Sequence, residues 1–455
     1  MNDIPIFQQA RSKSRSMGLK LFIVCGLALL MTIPAFFVDN LVDERTHREN
    51  DVVKEISNHV GGQQTFLGPT LAIPYSVSSA GSEAPRRRGV CLVFPAQGFA
   101  SVKTRTEERR RSLFKVPVFQ ADLTFNATFD LSGVPGAAVS NAEFDWEHAE
   151  FIVGVSDARG ALSDGTLTVN GKTATLAPAS TLQGLSLGAE QTQKTNLSLF
   201  GAQAVGIQPN TRFNATAALR FSGAQRIAIL AYGKSTRVSL QGDWPNPSFD
   251  GGFLPVSRSV APSGFNADWS VPFIARGIRA EGTLDSITGL DATALGVSFI
   301  EVADPYQSVT RSLKFILLFN GLIFLSYFVF EVTTGKRVHP AQYALVGVAQ
   351  VIFYLLLLSL SERIGFDFGF LLAGAATVIL LSTNAGWIFV SRLQAVRAFA
   401  VFTILYALIY MLLRLEDNAL LVGAVASFVA VAVAMYLTRS IDWYGSLPDA
   451  TAPSQ

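Results

Sequence analysis

Residues 19–38 read LKLFIVCGLALLMTIPAFFV, and residues 313–332 read LKFILLFNGLIFLSYFVFEV. A hydrocarbon core about 30 Å thick needs roughly 20 apolar residues of helix, and each stretch meets that length. Charge in the first is confined to Lys20 at its edge, with Arg11, Lys13 and Arg15 forming a basic flank. A cleavable signal peptide is the alternative reading. It fits poorly, because the run is long and ends in Pro34-Ala35-Phe36-Phe37-Val38 rather than at a small-residue cleavage site. The first stretch therefore reads as a retained anchor. After 313–332, similar apolar runs follow at about 341–360, 368–390, 398–413 and 419–437. Six membrane helices are expected.

The loops between them set an orientation. One carries Lys336, Arg337 and His339, the next Glu362 and Arg363, the third Arg392 and Arg397, and the fourth Arg414, Glu416 and Asp417. Arg439 opens the tail. Basic excess alternates with balanced or acidic loops, which is the pattern of helices crossing in turn with positive loops inside. The basic N-terminal tail agrees. Both termini are expected in the cytoplasm of the cell inner membrane, with the chain between residues 39 and 310 in the periplasm.

That intervening segment changes period. Leu41, Val42, Val52, Val53, Ile56 and Val60 recur at roughly helical spacing, Glu44 and Arg48 form a favourable i,i+4 pair, and Gly61-Gly62 ends the run. This reads as a helical stalk over 39–62. From Phe119 to Leu131 the odd positions are Phe, Ala, Leu, Phe, Ala, Phe and Leu, while the even positions are polar. Such alternation describes a strand buried on one face, which favours an antiparallel sheet. Phe213 to Phe221 and Leu295, Val297 and Phe299 repeat it. Asn170-Gly171 reads as a two-residue hairpin turn. The fold expected is therefore an α-helical transmembrane bundle of about six helices plus a large antiparallel β-sandwich-like periplasmic domain. The parts are a basic tail over 1–18, a membrane helix over 19–38, the stalk, a β-rich domain over 63–310, a five-helix bundle over 311–438 and a cytoplasmic tail over 439–455.

Composition excludes several classes. Charged residues make up only 15% of the chain and the formal net charge is +2, so nothing argues for nucleic acid. Cys25 falls in the first membrane run and Cys91 in the polar middle, so a disulfide between them is not expected. His47, His59, His148 and His339 show no metal-ligand spacing. No serine elbow and no phosphate-cradling glycine loop occurs. Asp145, Glu147 and His148 form the nearest approach to an acid-base group, but adjacent strand residues point to opposite faces, so they read as a solvated strand end. Glu107-Glu108-Arg109-Arg110-Arg111 reads as a solvated face or an edge-strand guard, and Arg86-Arg87-Arg88 adds nearby charge. No catalytic residue, cofactor or metal is expected.

Polar groups inside a membrane are costly and often functional. Asn320, Gln350 and Asn384 fall within expected helices. Glu362, Arg363, Arg414, Glu416 and Asp417 gather at the outer helix ends and form a candidate polar site at the boundary between bundle and domain. Glu331 and His339 form a candidate cluster at the inner ends. Interhelical hydrogen bonding and interfacial ion pairing account for the same residues without any ligand.

Several stretches resemble the CreD family of bacterial inner-membrane proteins. They include Gln64-Thr65-Phe66-Leu67-Gly68-Pro69-Thr70-Leu71-Ala72-Ile73-Pro74-Tyr75, Lys115-Val116-Pro117-Val118-Phe119, Ser156-Asp157-Ala158-Arg159-Gly160, and Trp244-Pro245-Asn246-Pro247-Ser248-Phe249. Gly252-Phe253-Leu254-Pro255 and Gly264-Phe265-Asn266-Ala267-Asp268-Trp269 are similar to further blocks. The helical half matches at His339-Pro340-Ala341-Gln342-Tyr343, Leu358-Ser359-Leu360-Ser361-Glu362, Leu415-Glu416-Asp417 and Ile441-Asp442-Trp443-Tyr444. The stretch from Pro85 to Arg88 departs from the pattern and reads as a loop insertion. The resemblance implies a cell-envelope integrity protein in a regulon under a two-component system, with no enzymatic activity. The expected partners are the lipid bilayer and an unidentified periplasmic or membrane component. A transporter or lipid-handling protein with a polar pocket in the bundle is the alternative.

Overall fold

The computed structural model describes residues 22–77, 87–111, 113–132, 141–187, 195–287, 289–299, 305–414 and 419–439. The chain divides into two compact units, one of Met1–Arg48 with Ala303–Gln455 and one of Glu49–Val302. Residues 1–21 and 440–455 lie outside the described residues, as do Glu416, Asp417, Pro85 and Arg86, whereas Arg87 and Arg88 of the stretch expected to be a loop insertion open the strand Arg87–Val93.

The helical unit contains the membrane-crossing elements. Five helices of the described residues are long and apolar enough to cross: α1 (Phe22–Val60), α3 (Ile316–Thr334), α4 (Pro340–Ile364), α5 (Phe366–Phe389) and α6 (Arg392–Arg414). A short helix α2 (Pro305–Lys314) precedes α3, and α7 (Ala419–Thr438) follows α6. The apolar runs coincide with α3 to α7, but the sixth expected span, α7, is not among the five helices that meet both criteria, and the run expected from residue 313 begins at Ile316. They did not reveal α2, whose polar face breaks the hydropathy signal. Local chemistry sets the ends. Pro340 sits in the first turn of α4, where its missing N–H costs nothing, and the His339 ring accepts a hydrogen bond from Ala341 N at 3.2 Å. Small residues share the inward face of α5 with large ones: Gly369, Ala373, Gly374, Thr377, Ser382 and Ala385 are buried beside Phe370, Val378, Leu381 and Phe389, whereas Leu371, Leu372, Ile379, Leu380 and Trp387 are exposed. Membrane helices pack through small residues because lipid is as apolar as leucine, so large side chains gain nothing by turning inward. Gly347 shows the same close approach, since a Cβ there would come within 2.5 Å of Met31.

In the β-rich unit, one sheet runs in the order Gly184–Leu187, Thr195–Gln203, Glu150–Val155, Gln64–Val77, Arg226–Ile229, Leu295–Phe299 and Pro247–Gly251, with short strands added alongside. The other runs Ser257–Ala261, Gly264–Val271, Ser235–Gly242, Gln97–Arg111, Phe114–Asp130, Arg212–Ala224, Thr166–Val169 and Lys172–Thr175. Alternation is visible in the burial of Phe114–Asp130 and Arg212–Ala224, as the sequence predicts. Asn170 and Gly171 both have positive φ and join Thr166–Val169 to Lys172–Thr175. Two pairings are parallel: Gln64–Val77 with Arg226–Ile229, and Ser235–Gly242 with Gln97–Arg111. Parallel neighbours need long crossovers, so strand alternation alone could not show them. The two sheets share one core. Phe129 of the second sheet meets Phe151 of the first at 5.5 Å, Phe66 meets Phe221 at 5.3 Å and Phe119 meets Phe299 at 5.2 Å between ring centroids. Tyr232 lies at its centre, its hydroxyl donating to Asn126 O at 2.9 Å.

The segment expected as a free stalk is the second half of α1, and it is packed. Val53, Ile56 and Val60 lie on Val116, Val118 and Ala224, and Arg111 pairs with Glu55. Gly61 and Gly62, both with positive φ, end the helix and turn the chain into the first strand. Arg109 pairs with Glu107 at 2.7 Å and Arg110 with Glu108 at 3.4 Å, so the mixed charge run neutralises itself on the surface. Its strand is interior to the sheet over Gln97–Thr104 and has a partner on one side only beyond that, so the guard reading fits its far end alone.

Candidate functional site

The residues expected at the outer helix ends fall into two groups among the described residues. At the end of α4, Glu362 accepts a hydrogen bond from Tyr306 Oη at 3.0 Å and faces Arg45 Nε at 3.9 Å. Its neighbour Arg363 is exposed in the last turn. At the paired ends of α5 and α6, Arg414 forms an ion pair with Asp367, and Tyr410 Oη donates to Asp367 Oδ1 at 3.0 Å. Arg414 Nε reaches Tyr410 Oη at 3.4 Å, and its guanidinium lies 5.7 Å from the Tyr410 ring centroid. Glu362 and Arg414 therefore have separate partners. Glu416 and Asp417 lie outside the described residues.

At the other end of the helices, Glu331 is buried. Its carboxylate accepts from Val338 N at 3.1 Å and from Tyr343 Oη at 2.9 Å. Glu331 thereby fastens the α3–α4 connection. His339 belongs to the same connection and serves as the cap of α4.

A third polar group lies inside the bundle. Gln350 Oε1 accepts from Tyr406 Oη at 3.0 Å. Gln350 Nε2, the hydroxyl of Tyr354 and both polar atoms of Asn320 are buried without a hydrogen-bond partner. Phe319, next to Asn320, packs on Tyr406 at 4.8 Å, which puts Asn320 at the level of Gln350. Asn384 Nδ2 approaches Tyr327 Oη at 3.5 Å, and that hydroxyl donates to Leu381 O at 2.8 Å. The sequence pointed to Asn320, Gln350 and Asn384, but not to Tyr354, Tyr406, Tyr306 or Asp367. Tyr354 stands one helical turn after Gln350, and that spacing was the available signal.

In the β-rich unit, His148 Nδ1 lies 2.8 Å from Asp145 Oδ2, and both are exposed. The hydrogen bond to His148 holds the Asp145 carboxyl below its ordinary range, and Asp145 raises His148 in turn. Arg276 is a different case. It is 3% exposed, donates from Nε to Ala231 O at 2.8 Å and lies 4.1 Å from the Phe94 ring centroid. Burial depresses its pKa to about 10. Arg276 closes a single helical turn whose Phe273 and Ile274 are exposed, Ile274 to 92%. Leu254 and Val256 are exposed too. Strand Ser257–Ala261 runs antiparallel to Gly264–Val271, so Val256 and Phe273 leave the sheet at the same end. Trp269 Nε1 donates to Phe253 O at 3.0 Å and fixes that corner. Among the described residues, no group of three or more His, Cys, Asp or Glu side chains could hold a metal ion.

A family model described as Inner membrane protein CreD matches residues 16–444. The Inner membrane protein CreD of Escherichia coli (strain K12) is 31% identical over 445 residues, covering 94% of this chain and 94% of its own.

Proposed function

The chain belongs to the CreD family of inner membrane proteins, and from that membership we propose that it is a non-enzymatic multi-pass envelope protein whose β-rich domain binds an extended segment of a periplasmic or membrane partner. In this reading both termini are cytoplasmic, the domain is periplasmic, and the protein supports envelope integrity. The distribution of basic loops supports the orientation.

The observation that carries the binding role is the edge strand Ser257–Ala261. It stands at the end of its sheet and is exposed along its whole length. An open edge offers unpaired N–H and C=O groups to an added strand. Leu254, Val256 and Val260 place apolar side chains along it, and the turn held by Arg276 adds Phe273 and Ile274. Burying such residues is worth about 1.5–3 kcal/mol each, enough to anchor a partner strand.

Photo-crosslinkers placed at Val256 and Ile274 in intact cells test this. A discrete adduct that disappears with Arg258→Pro is expected, because the two-residue turn at Pro262-Ser263 points the N–H groups of Ser257, Ser259 and Ala261 at the neighbouring strand and leaves that of Arg258 at the open edge. Equal adducts from Thr173, at the opposite edge of the sheet, would refute the assignment. A reporter fused after Gly252 that proved cytosolic would refute the orientation.

A further inference from the structure

The helical unit carries a feature that is independent of the β-domain reading. Between α5 and α6 lies a groove of about 550 Å³, lined by Phe368, Leu371, Ile379, Phe399 and other apolar residues. We propose that this groove binds one acyl chain of a phospholipid, with the phosphate held at its mouth by Arg414.

Shape is the first argument. Along α5 the groove runs from Asp367 to Ile379, about 18 Å at 1.5 Å rise per residue. One leaflet of a hydrocarbon core about 30 Å thick has a matching depth. The groove exists because its floor and walls are small where neighbouring positions are large. Gly374 lies against Tyr406, whose ring would stand 3.3 Å from a Cβ on that glycine. Ala375 and Ala407 line the groove and are exposed, whereas Leu371 and Ile379 stand out as its sides.

Polarity is the second argument. Polar groups collect at one end, where Asp367, Tyr410 and Arg414 meet. Asp367 and the Tyr410 ring hold the guanidinium in place, and its side chain remains 56% exposed. A guanidinium has five N–H donors, more than those two neighbours accept, and its fork suits phosphate oxygens. The first turn of α5 begins at the same end, with no side-chain cap on its N–H groups. A helix N-terminus and an arginine together favour a phosphate. The occupant is a membrane phospholipid rather than free phosphate, because the groove below the charge is apolar and opens on helices that cross a membrane.

The test uses the full chain in dodecyl maltoside, titrated with dioleoylphosphatidylglycerol, dioleoylglycerol or inorganic phosphate, with native mass spectrometry counting bound lipid. One tightly retained phosphatidylglycerol per chain is expected, with dioleoylglycerol bound about tenfold more weakly, a difference of about 1.4 kcal/mol. Inorganic phosphate should displace none. Ala375→Phe, on the exposed wall, should remove the tight site, and Ala407→Phe gives the same check from the other wall. Arg414→Gln should leave phosphatidylglycerol and dioleoylglycerol equal. Equal binding of the two lipids by the unaltered chain, or full retention when both alanines are replaced, would overturn the proposal and leave only annular lipid.

Discussion

Strand Phe114–Asp130 and helix α5 solve the same problem in opposite ways. The strand buries Phe119, Leu123, Phe125 and Phe129 and exposes Gln120, Asp122, Thr124, Asn126 and Thr128. The helix buries Gly369, Ala373, Thr377, Ser382 and Ala385 together with Phe370, Val378, Leu381 and Phe389, and it exposes Phe368, Leu371, Ile379 and Leu380, so large apolar residues stand on both of its faces. In water, large apolar groups are driven inward at about 25 cal/mol per Å². In lipid that drive is absent, and close backbone approach and interhelical hydrogen bonds take over. The interiors differ in degree. Among the described residues, Arg276 Nη2 and Thr106 Oγ1 in the β-rich unit are buried without partners, as are both polar atoms of Asn320, Gln350 Nε2 and Tyr354 Oη in the bundle. Unpaired polar atoms cost about 1–3 kcal/mol each when buried, so the bundle, which holds more of them, has the more stability left unused.

The contrast can be broken most forcefully at Phe125. Phe125→Ala should destabilise the β-rich domain by about 3–5 kcal/mol, read by protease resistance of the purified protein. Phe368→Ala on the lipid face of α5 should leave the same measurement unchanged. A comparable loss from both would erase the distinction. Next in size, Leu380→Arg near the middle of α5 should raise the cost of membrane insertion by about 2.5–3.5 kcal/mol in a glycosylation-based insertion assay. Thr124→Arg, on the water-facing side of the strand, should change stability by no more than about 0.5 kcal/mol. Asn320→Leu sharpens the contrast from the other direction. It removes two unpaired polar atoms and should stabilise the bundle by about 1–3 kcal/mol in thermal unfolding, whereas a loss would mean that Asn320 has a partner in the membrane.

Smaller effects concern individual side chains. Burial pushes the Cys91 thiol up to about 11, so at neutral pH it should react with maleimide only after denaturation. Fast labelling of the folded protein at Cys91 would contradict its buried position. The smallest effect is at Asp145 and His148. His148 should titrate above the ordinary histidine value of about 6.5 and move back toward it in Asp145→Asn, as read by NMR. The pair's contribution is present between the lowered Asp145 pKa and the raised His148 pKa. It is lost as pH rises through the latter, when the histidine loses its charge, and as pH falls through the former, when the carboxyl is protonated. Both groups are exposed, so little change in global stability should accompany either step.

The residues themselves explain why some features were legible in the sequence and others were not. The membrane runs could be read because hydropathy over about 20 residues is set by composition, whatever the neighbours are. The alternation at Phe119–Leu131 and the Asn170-Gly171 turn could be read because each is a local rule of backbone geometry. The polar site was only partly legible. Charge at helix ends marked Glu362 and Arg414, but their partners Tyr306, Arg45 and Asp367 come from other parts of the chain. Asn320 and Gln350 stood out as polar letters in apolar runs, yet Tyr406 did not, because a tyrosine there looks like any other large ring until its hydroxyl is placed.

The sequence alone determined where the apolar helices lie, the two-residue period of the long strands and the end of the first helix at Gly61-Gly62. These depend on side chains within one or two turns of each other. Only the tertiary structure decided that Gln64–Val77 lies parallel to Arg226–Ile229, that the second half of α1 packs on Val116, Val118 and Ala224, and that Gly374 and Tyr406 leave a groove between two helices. Each of those joins residues far apart in the chain. Such contacts follow from how elements pack to high density, a property of the assembled interior that no local pattern encodes.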